Sequence, residues 1–160
     1  EVSSRDGHIL GLGIFEPVEQ GLTAFEVIDQ IHKLGGITII PHPLNPTKHS
    51  LNERILTSIQ PDALESLNAS TIPPFTFQQR KIQEFARQRD IPQTGGSDAH
   101  APKTIGKAFT ILEIEKSPDW KKILRGIKRG DSMPSGNFIS VTDIFSNIWL
   151  KLENKIKSRK

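Results

Sequence analysis

Cysteine is absent from the 160 residues of this chain, which excludes disulfides and thiolate metal ligands together. Any metal site must then be built from His, Asp and Glu, a donor set suited to hard or borderline ions such as manganese, zinc or iron. Also absent is any apolar run near the roughly 20 residues that cross a bilayer, so no membrane span is expected. Residues 1–10, EVSSRDGHIL, show neither the basic start nor the apolar segment of a secretion signal. With the missing cysteines, this leads us to expect a cytoplasmic location. Internal repeats, low-complexity segments and linkers are absent too.

The chain has little excess charge where it would matter. The net charge is +3, but residues 151–160 hold five basic residues and one acid, more than the whole excess. The body is therefore close to neutral and offers no basic face for a nucleic acid. Nucleic-acid or membrane-surface binding would rest on the terminal segment alone. Hydrophobic residues at 35% and charged residues at 24% are ordinary for one globular domain with a core.

Within that composition, short apolar runs alternate with helical patterns. HILGLGIF (8–15), ITII (37–40), DALESLN (62–68), the stretch after Ile91 and KAFTILEI (107–114) read as strands. GLTAFEVIDQIHKLGG reads as a helix with a Thr23/Glu26 capping box, Leu22, Phe25, Ile28, Ile31 and Leu34 on its apolar stripe, and Gly35–Gly36 as its stop. Helices are also expected around 51–59, over 75–90 with Phe77, Ile82, Phe85 and Ala86 buried, and over 117–130 with Ser117 at the N-cap and Pro118 next. Val141, Ile144, Ile148, Leu152 and Ile156 form one stripe of a last, basic amphipathic helix. We divide the chain into residues 1–135, an α/β domain, and 136–160, that helix packed on the domain or extending from it. The chain opens on the β-prone EVSS without an initiator Met, so we expect an N-terminal part of a larger domain to precede it.

Alternating strands and helices imply a mostly parallel sheet with ligands at the carboxyl ends of its strands. Polar residues stand there at three successive strand ends. His42 follows ITII between Pro41 and Pro43, on a stiffened backbone that suits a ligand or a strand-end cap. Glu65 and Asn68 come late in ALESLN; both are candidates for orienting a ligand or contacting substrate, with a strand-end salt bridge as the other reading of Glu65. In TGGSDAH, Asp98 and His100 share a face of an extended segment, as a metal centre, an acid–base pair or a polar Asx turn would have them. His32 lies off the apolar stripe of its helix and is expected to face solvent. Lys48 and His49, in the polar loop NPTKHSLNE, could reach a phosphate.

The ordered set EVSSRDGHILGLG, IIPHP, ALESLN and GGSDAH, over residues 1–115, resembles the PHP family, the polymerase-and-histidinol-phosphatase metal-dependent phosphoesterases. The resemblance implies an incomplete, distorted (β/α)7 barrel with mostly parallel strands and up to three divalent metals at their carboxyl ends. Carried over by motif, Glu1 would bridge two metals, His8 and His42 would join it on the second, Asp98 would bind the first and His100 the third. The family's opening H-x-H pair, a later Asp or His and a further His before the glutamate have no counterpart in residues 1–160, so fewer metals are expected here. The implied activity is hydrolysis of a phosphate ester (a small phosphorylated metabolite, a nucleotide or an oligonucleotide) by metal-activated water. Nucleic acid would enter only as substrate. The alternative implied by the missing ligands is a non-catalytic metal-binding or regulatory module.

Overall fold

The computed structural model describes residues 1–114, 116–140 and 142–143. The expected helix on the stripe from Val141 to Ile156 therefore lies outside the described residues. The described chain is a mixed α/β structure. A five-stranded sheet has the order β1-β2-β3-β4-β5, with β1 Val2–Ser3, β2 His8–Leu12, β3 Ile37–Ile40, β4 Ala63–Asn68 and β5 Gln93–Gly96. Helices α1 Ala24–Lys33, α2 Glu53–Ser58, α3 Gln78–Gln88 and α4 Trp120–Arg129 pack around it, and β6 Ala108–Leu112 with β7 Ser132–Gly136 forms an antiparallel ribbon.

The β3–β4 and β4–β5 pairs are parallel, as the alternation implies, whereas β1–β2 and β2–β3 are antiparallel. The reason is the connection between β2 and β3. Residues 13–23 run out along the sheet before α1 brings the chain back, so β3 starts beside the end of β2, with Leu12 opposite Ile37. A helix preceded by a long extended segment is an excursion and return, not a crossover. The expected closure into a (β/α)7 barrel is not seen among the described residues, which form an open sheet and a separate ribbon.

The sheet buries both faces. Ile9, Ile40 and Leu64 pack with α1, α2 and α3 through Val27, Ile31, Leu56 and Ile82. Ile37, Ile39 and Ala63 pack on the other face against Ile127, with Ile123 and Leu124 alongside. This two-sided burial is why ITII is an unbroken apolar run. The capping box of α1 forms as expected, with Glu26 Oε2 accepting from Thr23 N–H at 2.8 Å. Its buried stripe is instead Ala24, Val27, Ile28 and Ile31, and Phe25 is 69% exposed. Spacings of three and four from Ala24 define one face, and Phe25 lies a step of about 100° away from it. In α3 the buried residues are Ile82 and Ala86, Phe85 packs partly, and Phe77 is exposed in the single turn that precedes the helix.

Two further departures are local. Asp119, not Ser117, caps α4, its Oδ1 accepting from Lys122 N–H at 2.7 Å. Ser117 holds a φ of +55°, a left-handed geometry foreign to an N-cap. Strand β7, SMPSG, has no apolar alternation and reads as a loop; its backbone pairing with β6 makes it a strand. The ribbon is fastened to β5 by Thr110 Oγ1, which accepts from Gly95 N–H and donates to Gly95 O, and by Ser132 Oγ donating to Gln93 O.

At the sheet's amino edge, Asp62 ties both helical layers together. Its Oδ2 accepts from Thr38 N–H at 2.8 Å and lies 2.7 Å from His32 Nε2 on α1, and its Oδ1 is 2.8 Å from Lys128 Nζ on α4. His32 is thus half-exposed but anchored, where its helical position alone suggested open solvent. Burial pushes the Asp62 carboxyl up, but Lys128, Thr38 and His32 outweigh it and hold the group below the usual carboxylate range. Its contribution is therefore present above that range and lost as pH falls through the lowered value. Asp62→Ala should cost about 2–3 kcal/mol, since the fully buried Thr38 N–H is left unpaired. Urea midpoints should show the wild type falling faster than the variant as pH is lowered from about 4.

Candidate metal centre

The antiparallel start of the sheet brings the first candidates together. With Leu10 opposite Ile39, His8 at the amino end of β2 stands beside the chain just past the carboxyl end of β3, where His42 lies. Strand β1 pairs Val2 with Ile9 and Ser3 with His8, which puts Glu1 two residues in from that edge, on the same face as Ser3 and diagonal to His8. Glu1 Oε1 is 2.5 Å from His8 Nδ1 and 3.6 Å from His42 Nε2. One donor atom from each of the three lies within 4.8 Å of the others, the one such group among the described residues.

The bonding pattern suits a cation. Ser50 Oγ donates its single proton to His42 O at 2.8 Å and lies 3.0 Å from His42 Nδ1. The hydroxyl must then accept from Nδ1–H, so the Nε2 lone pair is left facing Glu1. Burial lowers the pKa of His42, against the pull of Asp98, and keeps the ring neutral. An imidazole lone pair thus faces a carboxylate, two acceptors with no proton between them. His8 Nδ1 repeats the situation. It touches Glu1 without hydrogen-bond alignment and is a buried nitrogen with no hydrogen-bond partner. Two imidazole nitrogens and a carboxylate oxygen fit a borderline divalent ion. His49 adds a ring edge-on to His8, with centroids 5.1 Å apart.

Behind His42 is Glu65. Its Oε2 accepts from His42 N–H at 2.7 Å and from Asn68 Nδ2 at 2.8 Å. Burial pushes the Glu65 carboxyl up to about 7, against the pull of those two bonds. Glu65 therefore supports the His42 backbone, which has a φ of +33°, a conformation costly outside glycine. Gly96 makes room for this carboxylate, because a Cβ built there would overlap Glu65 Oε1. Gly95 admits the backbone of Phe109 and Pro134 in the same way. The two glycines of TGGSDAH are thus required by close approach.

Asp98 and His100 stand apart from the triad. Asp98 Oδ2 is paired with Lys48 Nζ and accepts from Ser70 Oγ at 3.0 Å and Asn68 Nδ2 at 3.2 Å. Burial alone would raise its pKa, but the Lys48 ammonium and Asn68 hold it below the usual carboxylate range. His100 is half-exposed, with Nε2 3.5 Å from Asp98 Oδ1. Asn68 links the two parts by donating to both Glu65 and Asp98. Sequence reasoning missed Ser50 and Ser70, since a lone serine in a polar loop carries no signal.

Comparison with known proteins agrees with the motif reading. Residues 77–132 match the family model described as PHP-associated. Two uncharacterised proteins of Methanocaldococcus jannaschii are similar to this chain. One is 36% identical over 69 residues, 43% of this chain and 40% of the relative. The other is 25% identical over 128 residues, 74% of this chain and 53% of the relative. A solved structure from Bifidobacterium adolescentis, provisionally named a metal-dependent phosphoesterase, aligns over 69% of this chain and 38% of its own length, at 24% identity and a TM-score of 0.47. The chain spans about half or less of the length of each of these proteins. The family match covers α3, α4 and β5 to the start of β7 but not Glu1, His8 or His42.

Gly96→Ala should force Glu65 out of its place and cost about 1–3 kcal/mol, the usual range for overpacking. Thermal melting measures the loss. The same variant should bind manganese more weakly, because the support beneath His42 moves with Glu65.

Proposed function

We propose that the chain supplies the metal-binding edge of a PHP-type phosphoesterase that hydrolyses phosphate esters. The observation that carries this reading is the convergence of Glu1, His8 and His42, with an imidazole lone pair and an unpartnered imidazole nitrogen turned on one carboxylate. A divalent ion such as manganese, zinc or iron held by these three would polarise a phosphoryl oxygen and acidify a water molecule. The chain's own residues do the positioning. Ser50 sets the proton on His42 Nδ1, Glu65 holds the His42 backbone, and Asn68 fixes Glu65 against Asp98. Partners of this kind around ligand imidazoles set ring orientation and basicity. Asp98 and His100 lie at the same edge and are proposed as donors for a further ion, which would have to displace Lys48 from Asp98. The substrate is then a phosphorylated compound, with no span of membrane involved: among the described residues no helix is long and apolar enough to cross one.

Glu1→Ala and Ser50→Ala test the site without emptying the core, because Glu1 is exposed and Ser50 only part-buried. Glu1→Ala should abolish tight manganese binding and leave thermal melting almost unchanged. Ser50→Ala should weaken binding by about 10–100-fold, the usual effect of removing a partner of a ligand imidazole. Titration calorimetry reads both; full affinity in Glu1→Ala would remove the triad from the metal site. Activity is read as metal-dependent hydrolysis of an aryl phosphate by the full-length parent protein, which should fall at least a hundredfold in Glu1→Ala.

A further inference from the structure

Lys48 is the one cation drawn into the described candidate site, and the metal-binding reading gives it no role. It lies mostly buried in the loop after β3, with Nζ on Asp98 and 2.5 Å from Ser70 Oγ. An ammonium has three protons, and these two partners commit two of them. Lys48 is near enough for its charge to act on the His42 ring. It also borders an open cavity of about 460 Å³. The same cavity touches Ser50, the partner of His42, and is walled by Leu44, Leu51 and the exposed ring of Phe77. An ammonium with one proton uncommitted among the described residues thus stands beside both the candidate metal triad and a cavity of ligand size.

We propose that Lys48 is a substrate-binding residue whose ammonium takes a phosphoryl oxygen of a phosphate monoester, with the organic part of the ester in the cavity walled by Leu44, Leu51 and Phe77. This rests on the phosphoesterase reading and deepens it. A phosphoryl dianion seated between the triad and Lys48 meets positive charge on two sides. Ser70, with Asp98 while that carboxylate carries no ion, holds the ammonium in place beforehand, so little side-chain entropy is lost on binding. Lysine serves here as a point charge and does not need the planar fork of arginine.

The test separates metal binding from anion binding, using manganese and methylphosphonate, a non-hydrolysable phosphate monoester mimic, in titration calorimetry of the full-length protein. Lys48→Met should leave manganese affinity at the Glu1, His8 and His42 triad as in the wild type and weaken methylphosphonate binding by at least about tenfold, the loss of one charge-assisted hydrogen bond. Lys48→Arg should recover part of that affinity. Circular dichroism checks the fold, and Lys48→Met with Asp98→Asn removes the opposite charges together if the single variant unfolds. Unchanged methylphosphonate affinity in folded Lys48→Met overturns the proposal and leaves the phosphoesterase reading standing. So does the gain of a second manganese ion without loss of methylphosphonate, which would make Lys48 a mere counter-charge to Asp98. A wild type that binds manganese but no methylphosphonate overturns both. Methylphosphonate binding that needs Lys48 but no metal supports the role of Lys48 and overturns the metal-dependent reading.

Discussion

The candidate site depends first on the antiparallel pairing of β2 with β3. Were β2 parallel to β3, His8 would stand at the opposite end of the sheet from His42, roughly the length of a strand away. The pairing of Leu10 with Ile39 and of Ser3 with His8 puts the amino end of β2 and the carboxyl end of β1 at the carboxyl edge of β3–β4–β5. Five strands then contribute to one edge, although β2 runs against the other four. The cost is a connection that must travel out through residues 13–23 before α1 can return. The capping box at Thr23 and Glu26 starts that return at a defined residue.

The second constraint is the carboxylate load of the edge. Glu1, Glu65 and Asp98 meet there, and Glu65 and Asp98 are largely withdrawn from solvent. Each is compensated differently. Glu65 has amide hydrogens only and is pushed toward neutrality, while Asp98 has an ammonium and stays ionised. Glu1 faces two imidazole nitrogens and nothing that neutralises it in full. Asp62, at the opposite edge, shows how the fold treats a carboxylate whose role is structural, surrounding it with Lys128, His32 and Thr38. The uneven compensation separates the edge of the candidate site from the edge that ties helices to the sheet.

Close packing beneath the site explains its unusual backbone. His42 and Asp98 both take positive φ values, and Gly96 gives up its side chain to Glu65. Such conformations persist where the surroundings over-determine them. Here the determinants are the Glu65–Asn68 pair on one side and the Lys48–Ser70 pair on the other.

Much was legible in the sequence because it depends on local chemistry. The run ITII, the Thr23 cap and the glycine stop of α1 report backbone preferences that neighbours several residues away settle. The ordered motifs around Glu1, His8, His42, Asp98 and His100 gave the resemblance to the PHP family. What the sequence could not show is orientation and company. Whether β2 runs with or against β3 turns on the path of residues 13–23, which no periodicity records. Phe25 and Phe77 look like core residues by type, and the phase of each helix against the sheet leaves them exposed. Ser50, Lys48 and Ser70 carry no motif; they matter because the loop after β3 folds back over His42 and Asp98, a contact across 50 residues of chain in the case of Lys48 and Asp98. The sequence by itself determined strands such as ITII and the capping box and glycine stop of α1, since each is a short-range preference. Only the tertiary structure decided which of the candidate donors come together, because that depends on strand direction and on how buried charges are paired across the sheet.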